Sequence, residues 1–256
     1  MARAPLHSSL YGPLASLVVV AVLSGLVGCE PASEPPASTS TSSCPRDGFG
    51  RRFGTDVTSQ PGRSTAAVRE DRPRIVAFGD SLTSGLGVPQ EEAYPAQLQR
   101  RLEAAGYRYR VINAGVSGDT TAGGVRRVDW VLNSKPAIVI LELGANDGLR
   151  GIDPAHTRAN LEAIIRRLQA AGVTVVLAGM KLPPNYGKDY TARFAAVYPE
   201  LAGKYRIPLM PFFLEGVAAR EAMNQADGIH PTEAGYREIV ENLFNTLQPF
   251  LLKPVA

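Results

Sequence analysis

The chain is poor in the residues that most often build reactive or cross-linked centres. Its 256 residues include two cysteines, three histidines and one tryptophan. The two cysteines, Cys29 and Cys44, cannot form a disulfide framework and are too few for a zinc site built on thiolates. Charge of one sign is also lacking, since 27 Lys and Arg stand against 24 Asp and Glu for a net of +3. The basic residues occur in short pairs such as Arg51-Arg52 and Arg166-Arg167, with no basic stripe interleaved with aromatics. Nucleic acid is therefore not an expected partner. What is present, 45% hydrophobic and 20% charged residues, is the composition of a soluble globular core.

Long hydrophobic runs are missing except near the start. Residues 14–27 are apolar, follow a basic residue at Arg3, and end in Leu26-Val27-Gly28-Cys29. That stretch falls short of the roughly 20 residues that span a bilayer and has the layout of a targeting segment. It looks like a bacterial lipoprotein signal over residues 1–28, with Cys29 as the lipidated residue and the mature protein held to a membrane outside the cytoplasm. A short membrane anchor and an ordinary secretory peptide are the alternative readings. Lipidation of Cys29 leaves Cys44 without an intramolecular partner; without it, the two could close a short disulfide loop. Residues 29–73 are rich in Pro, Ser, Thr, Gly and Arg with no sustained apolar period, which predicts a flexible tether.

From residue 74 the character changes to apolar runs alternating with amphipathic stretches. The runs at 75–78, 109–113, 137–143, 173–179 and 208–213 are nearly continuous in apolarity, as suits strands covered on both faces. Helices are expected near 94–105, 121–132, 154–171, 191–205 and 232–251, with Gly106 and Gly172 at helix ends. Strict alternation of five strands with five helices predicts one α/β domain over residues 74–256, a three-layer αβα sandwich around a mainly parallel five-stranded sheet. Its ligand site should lie at the carboxyl ends of the strands.

The segment Gly79-Asp80-Ser81-Leu82 follows the first run, where an α/β protein exposes a nucleophile. Gly-Asp-Ser is also a common turn and cap sequence, so the hydroxyl could merely cap a helix. Acyl transfer by serine needs a base, a group that orients the base, and donors for the oxyanion. His7 lies in the signal, which leaves His156 and His230, each with an aspartate three residues earlier. Asp153-Pro154 reads as the cap and first residue of a helix, placing His156 on a surface turn. Gly228 and Pro231 instead enforce a turn around His230, leaving its imidazole free to face a cleft beside Asp227. Gly118 is a candidate backbone donor because no side chain intervenes there, and Asn146 offers a side-chain amide; each could equally be a turn residue. Asp80 is expected to be structural or to shape the field at the serine, with no proton-transfer role.

In this order Gly79-Asp80-Ser81-Leu82, Gly118, Gly144-Ala145-Asn146-Asp147 and Asp227-Gly228-Ile229-His230-Pro231 resemble the four blocks of the SGNH (GDSL) hydrolases, over essentially all of residues 74–252. Ser117-Gly118-Asp119-Thr120, Asn146-Asp147-Gly148-Leu149-Arg150-Gly151, Leu182-Pro183-Pro184-Asn185-Tyr186-Gly187, Tyr198-Pro199 and Pro211-Phe212-Phe213 resemble the bacterial multifunctional thioesterase, lysophospholipase and arylesterase branch. The resemblance implies a flavodoxin-like fold, Ser81 as nucleophile, His230 as base and Asp227 as its orienter. It also implies an oxyanion hole from the Ser81 and Gly118 N–H groups and Asn146, with no metal or cofactor. The expected substrate is a small-molecule or lipid ester. Residues 181–190, with two prolines and two tyrosines, could cover an apolar acyl groove or act as a rigid connector. A carbohydrate O-deacetylase and a tethered binding lipoprotein are the alternative functions; the first should have an aromatic-lined cleft, yet Trp130 falls on a helix candidate.

Overall fold

The computed structural model describes residues 72–252. The expected signal at 1–28 and the tether up to residue 71 lie outside the described residues, as do 253–256. Strands β1 (Arg74–Gly79), β2 (Arg110–Gly115), β3 (Ile138–Glu142), β4 (Thr174–Ala178) and β5 (Leu209–Met210) form one fully parallel sheet in the order β2-β1-β3-β4-β5. Every residue of β3 is buried, which is why this strand reads as an apolar run from Ile138 to Leu141. Edge strand β2 is more exposed.

The helices are α1 (Ser81–Ser84), α2 (Tyr94–Ala104), α3 (Thr121–Asn133), α4 (Ala145–Leu149), α5 (Pro154–Ala170), α6 (Lys188–Tyr205) and α7 (Glu233–Leu247). Helices α2 and α7 pack together, and α3, α5 and α6 form a second set. The sheet lies between them, and its side chains form one continuous core with residues such as Leu98 and Leu243 of the first set and Leu161 and Phe194 of the second. The three-layer expectation and all five strands are borne out. Gly106 (φ 79°) and Gly172 (φ 75°) follow α2 and α5 in the left-handed conformation that ends helices.

Three boundaries differ from expectation by three residues or more, two of them for physical reasons. Strand β5 has two residues, because Pro208 and Pro211 flank it and neither can donate to the ladder. Helix α7 stops at Leu247, and Pro249 lies in a single 3-10 turn (Gln248–Phe250) that follows. Helix α6 starts three residues early, at Lys188.

The strand order reverses direction between β1 and β3. A chain that leaves β1 toward β2 and returns across to β3 opens a crevice above the carboxyl ends of these two strands. Residues that follow β1, β2 and β3 directly therefore share one rim.

Candidate active site

Ser81 is the first residue of α1, at the carboxyl end of β1. The helix cap is Asp80, whose Oδ1 accepts the Leu82 N–H at 3.1 Å. The Ser81 hydroxyl is thereby left free for another partner. Gly79 permits the sharp turn, because a Cβ there would stand 2.0 Å from Thr83 Oγ1 and 2.4 Å from Glu142 Oε2.

The partner of Ser81 is His230, with Nε2 2.9 Å from Ser81 Oγ across 149 positions of sequence. His230 Nδ1 lies 2.6 Å from Asp227 Oδ2. An ionised carboxylate can only accept, so the Nδ1 atom carries the hydrogen and Nε2 accepts from the serine. The other Asp227 oxygen accepts the backbone N–H groups of His230 at 3.0 Å and Ile229 at 2.9 Å. The His230 N–H is the main reason that Asp227 is lowered to about 2, with the His230 ring and the Ile229 N–H adding to it.

The imidazole is carried on a short hairpin closed by the antiparallel bridge between Asn224 and Pro231. Gly228 takes φ 69° at its turn, and Thr232 caps α7 just beyond. His156 is exposed on the first turn of α5, where Asp153 caps the helix through Ala155 N–H. The structure thus brings Ser81, His230 and Asp227 together and leaves His156 apart.

Among the described residues, neither the Ser81 nor the Gly118 backbone N–H donates to a protein acceptor. Gly118 sits at φ 77°, and a Cβ on it would meet only Arg150 Nη2, at 3.8 Å. Its need for glycine is therefore conformational rather than steric. Asn146, in α4 after β3, donates from Nδ2 to Asp119 O at 2.9 Å and to Asp80 Oδ2 at 3.1 Å. Both of its amide hydrogens are engaged in this structure, and they tie the ends of β1, β2 and β3 to one another.

Several supporting residues were not anticipated from the sequence. Arg127 of α3 donates to Gly79 O and Ala114 O at 2.6 Å each and to Asp119 Oδ2 at 2.7 Å, with its guanidinium 4.4 Å from the centre of the Phe78 ring. Its place three residues after buried Gly124 and four after buried Gly123 was the available signal that this cation faces inward. Arg150 Nη2 donates to Gly118 O at 3.0 Å. Glu142 is completely buried; its Oε2 accepts from Thr83 Oγ1 at 2.6 Å, and its Oε1 has no hydrogen-bond partner.

An apolar cavity of about 420 Å³ opens beside the serine. Leu82, Ala145 and Ile229, each adjacent in sequence to a candidate site residue, line it with Met180, Leu182 and Phe212. The loop at 181–190 combines both readings given for it. Its first half lines the cavity, while Tyr186 and Tyr190 stack and donate to Leu149 O at 3.1 Å and Ile152 O at 2.8 Å. Among the described residues no group of three or more His, Cys, Asp or Glu could hold a metal ion, and no helix is long and apolar enough to cross a membrane.

Comparison with known proteins identifies the family. Residues 77–238 match the model of the GDSL-like Lipase/Acylhydrolase family. The chain belongs to that family. Esterase TesA of Pseudomonas aeruginosa is 46% identical over 178 residues, 69% of this chain and 89% of that one. An arylesterase of Vibrio mimicus is 40% identical over 65% of this chain and 84% of its own, and a thioesterase/protease/lysophospholipase of Escherichia coli is 37% identical over 69% and 84%. The crystal structure of TesA superposes with a TM-score of 0.68, covering 70% of this chain and 99% of that chain. Membership, fold and relatives together make the protein a carboxylic ester hydrolase of the serine type.

The buried carboxyl groups give this member a measurable pH signature. Burial pushes Asp80 from 3.8 up to about 6, against the opposing bonds from Leu82 and Asn146. The folded protein therefore holds that proton at pH values where the unfolded chain has released it. Asp80 contributes stability that is complete below about pH 4 and is lost as pH rises through about 6. In urea unfolding, Asp80→Ala should flatten the stability profile between these values; an unaltered slope would remove Asp80 from this role.

Proposed function

We propose that Ser81, His230 and Asp227 are the catalytic triad of this esterase, and that its substrates are acyl and aryl esters, including lysophospholipids, with acyl thioesters also cleaved. The observation that carries the reading is the unbroken line from Asp227 through His230 to Ser81, at 2.6 and 2.9 Å, opening beside an apolar cavity. The names of the arylesterase and of the thioesterase/protease/lysophospholipase relatives support the substrate classes.

Ser81 Oγ attacks the acyl carbon while His230 Nε2 takes its proton, and Asp227 stabilises the imidazolium that forms. The tetrahedral oxygen is met by the Ser81 and Gly118 N–H groups and by Asn146, which turns one N–H away from Asp80 or Asp119 to reach it. His230 then passes the proton to the departing alcohol or thiol. Water, deprotonated by the same imidazole, attacks the acyl-enzyme; His230 returns the proton to Ser81 Oγ as the acid leaves. These steps need no metal or cofactor.

The cavity favours an acyl chain over an acetyl group, which disfavours the deacetylase reading. Each methylene buried there is worth about 0.8 kcal/mol. In a p-nitrophenyl ester series, kcat/KM should rise up to about fourfold per methylene until the cavity is filled. A preference for acetate would instead support the deacetylase. Ser81→Ala should abolish turnover and labelling by a phosphonate probe; a phosphonate also inhibits a 32% identical esterase from Pseudoalteromonas sp., whose crystal structure has a TM-score of 0.66 to this chain. Retained turnover by Ser81→Ala would end the proposal.

Asn146→Ala should lower kcat about 10² to 10³ fold, the usual cost of one oxyanion donor. A loss below about fivefold would leave Asn146 as a brace between strands. For location, the apolar stretch and the Leu26-Val27-Gly28-Cys29 order support a lipid anchor on Cys29 in a bacterial cell envelope. The intact mass of membrane-extracted protein should begin at Cys29 and include acyl chains, and Cys29→Ser should release the protein from membranes. An unmodified Cys29 in that mass would overturn the anchor.

A further inference from the structure

Catalysis by Ser81 and His230 depends on a distance between two separate pieces of chain. The serine stands on the turn after β1, and the imidazole stands on the 224–231 hairpin before α7. Asp227 cannot set that distance, because it lies on the same hairpin as His230. Besides the Ser81–His230 bond itself, a single side-chain hydrogen bond joins these segments among the described residues, and it comes from Gln225.

The Gln225 amide nitrogen has two hydrogens, and each has an acceptor. Nε2 donates to Leu86 O at 2.8 Å on the serine side and to Pro231 O at 2.9 Å on the histidine side. The Leu86 N–H donates in turn to Ser81 O at 3.1 Å. On the hairpin, the Gln225 backbone N–H donates to His230 O at 2.7 Å, and Gln225 O accepts from Gly228 N–H at 2.9 Å. The backbones of nucleophile and base are thus connected through one planar amide. Gly87 closes over it: at φ 82°, a Cβ on this residue would fall 2.0 Å from Gln225 Oε1.

We propose that Gln225 is a positioning residue that sets the spacing between Ser81 Oγ and His230 Nε2 by bridging the serine-bearing turn to the histidine-bearing hairpin. The inference rests on the reading of Ser81 and His230 as nucleophile and base. Gln225 touches neither substrate nor reacting atoms and acts through the two backbones it holds. No other side chain of similar length does this work. Glutamate at 225 would direct a carboxylate at two carbonyl oxygens, and methionine would fill the space without donating. Misplacement of a catalytic group by about 1 Å can cost on the order of 10² in rate.

The test compares Gln225→Met, Gln225→Glu and Gly87→Ala with the parent enzyme on p-nitrophenyl butyrate. Rates are expressed per serine titrated to completion by a phosphonate probe, so that unfolded molecules do not count. Gln225→Met should lower kcat about 10- to 100-fold with KM changed less than about threefold. Its downfield proton signal from His230 Nδ1–H should persist, because the Asp227–His230 bond is internal to the hairpin. Gly87→Ala, which displaces the same amide from the other side, should give the same split, and its loss should not add to that of Gln225→Met.

Retention of kcat within twofold in both Gln225 variants, with Ser81→Ala inert, overturns the bridge and leaves the catalytic reading intact. Loss of the Nδ1–H signal together with activity also overturns it, since Gln225 would then be holding the hairpin's own fold. Turnover by Ser81→Ala would defeat the catalytic reading itself. Should Gln225→Met fail to fold, the kcat and KM of Gly87→Ala decide the matter alone.

Discussion

A carboxyl group with no access to water supports the turn that presents Ser81. Glu142 ends the central strand beneath that turn, accepts from Thr83 Oγ1 through one oxygen, and has its other oxygen unpartnered. Desolvation, together with the charge of neighbouring Asp80, holds it well above the usual carboxylate range. A neutral acid is the form such a site tolerates, because an ionised and half-satisfied carboxylate would cost several kcal/mol there. The space that Gly79 leaves empty is what lets Thr83 and Glu142 approach this closely.

Above this neutral group the polar contacts are arranged in tiers. Asp80 caps α1 and receives Asn146, while Arg127 binds the carbonyls of Gly79 and Ala114 and the carboxylate of Asp119. Asp119 O accepts the second Asn146 hydrogen. Three strand ends are fixed relative to one another before any ligand arrives, which is the preorganisation that electrostatic catalysis requires. Asp227 stands in a different environment. It is nearly half exposed, and its low pKa comes from donated N–H bonds rather than from deep burial.

How much of this was legible in the sequence follows from where each signal resides. Strands β1, β3 and β4 were readable because burial on both faces leaves continuous apolar runs, and α5 because Asp153-Pro154 announces a capped first turn. The same dipeptide separated His156 from His230. Helix α4 was missed because five residues including Asn, Asp and Gly carry no helical period. Arg127, Arg150 and Gln225 were missed for another reason: each donates to main-chain carbonyls, and no residue type marks where a carbonyl will be. Their roles exist only once distant loops have met. The 181–190 loop had two readings, and its halves divide them, since prolines line a cavity while tyrosines tie the loop to the end of α4 and to Ile152 just beyond it.

The parallel sheet separates the two ends of the working domain. The chain enters at Arg72-Pro73 and begins β1 at Arg74, whereas Ser81 follows the opposite end of that strand. Six residues of strand correspond to about 20 Å. A resin, carrier or fluorescent fusion joined directly ahead of Arg72 would grip the domain on the side away from the mouth.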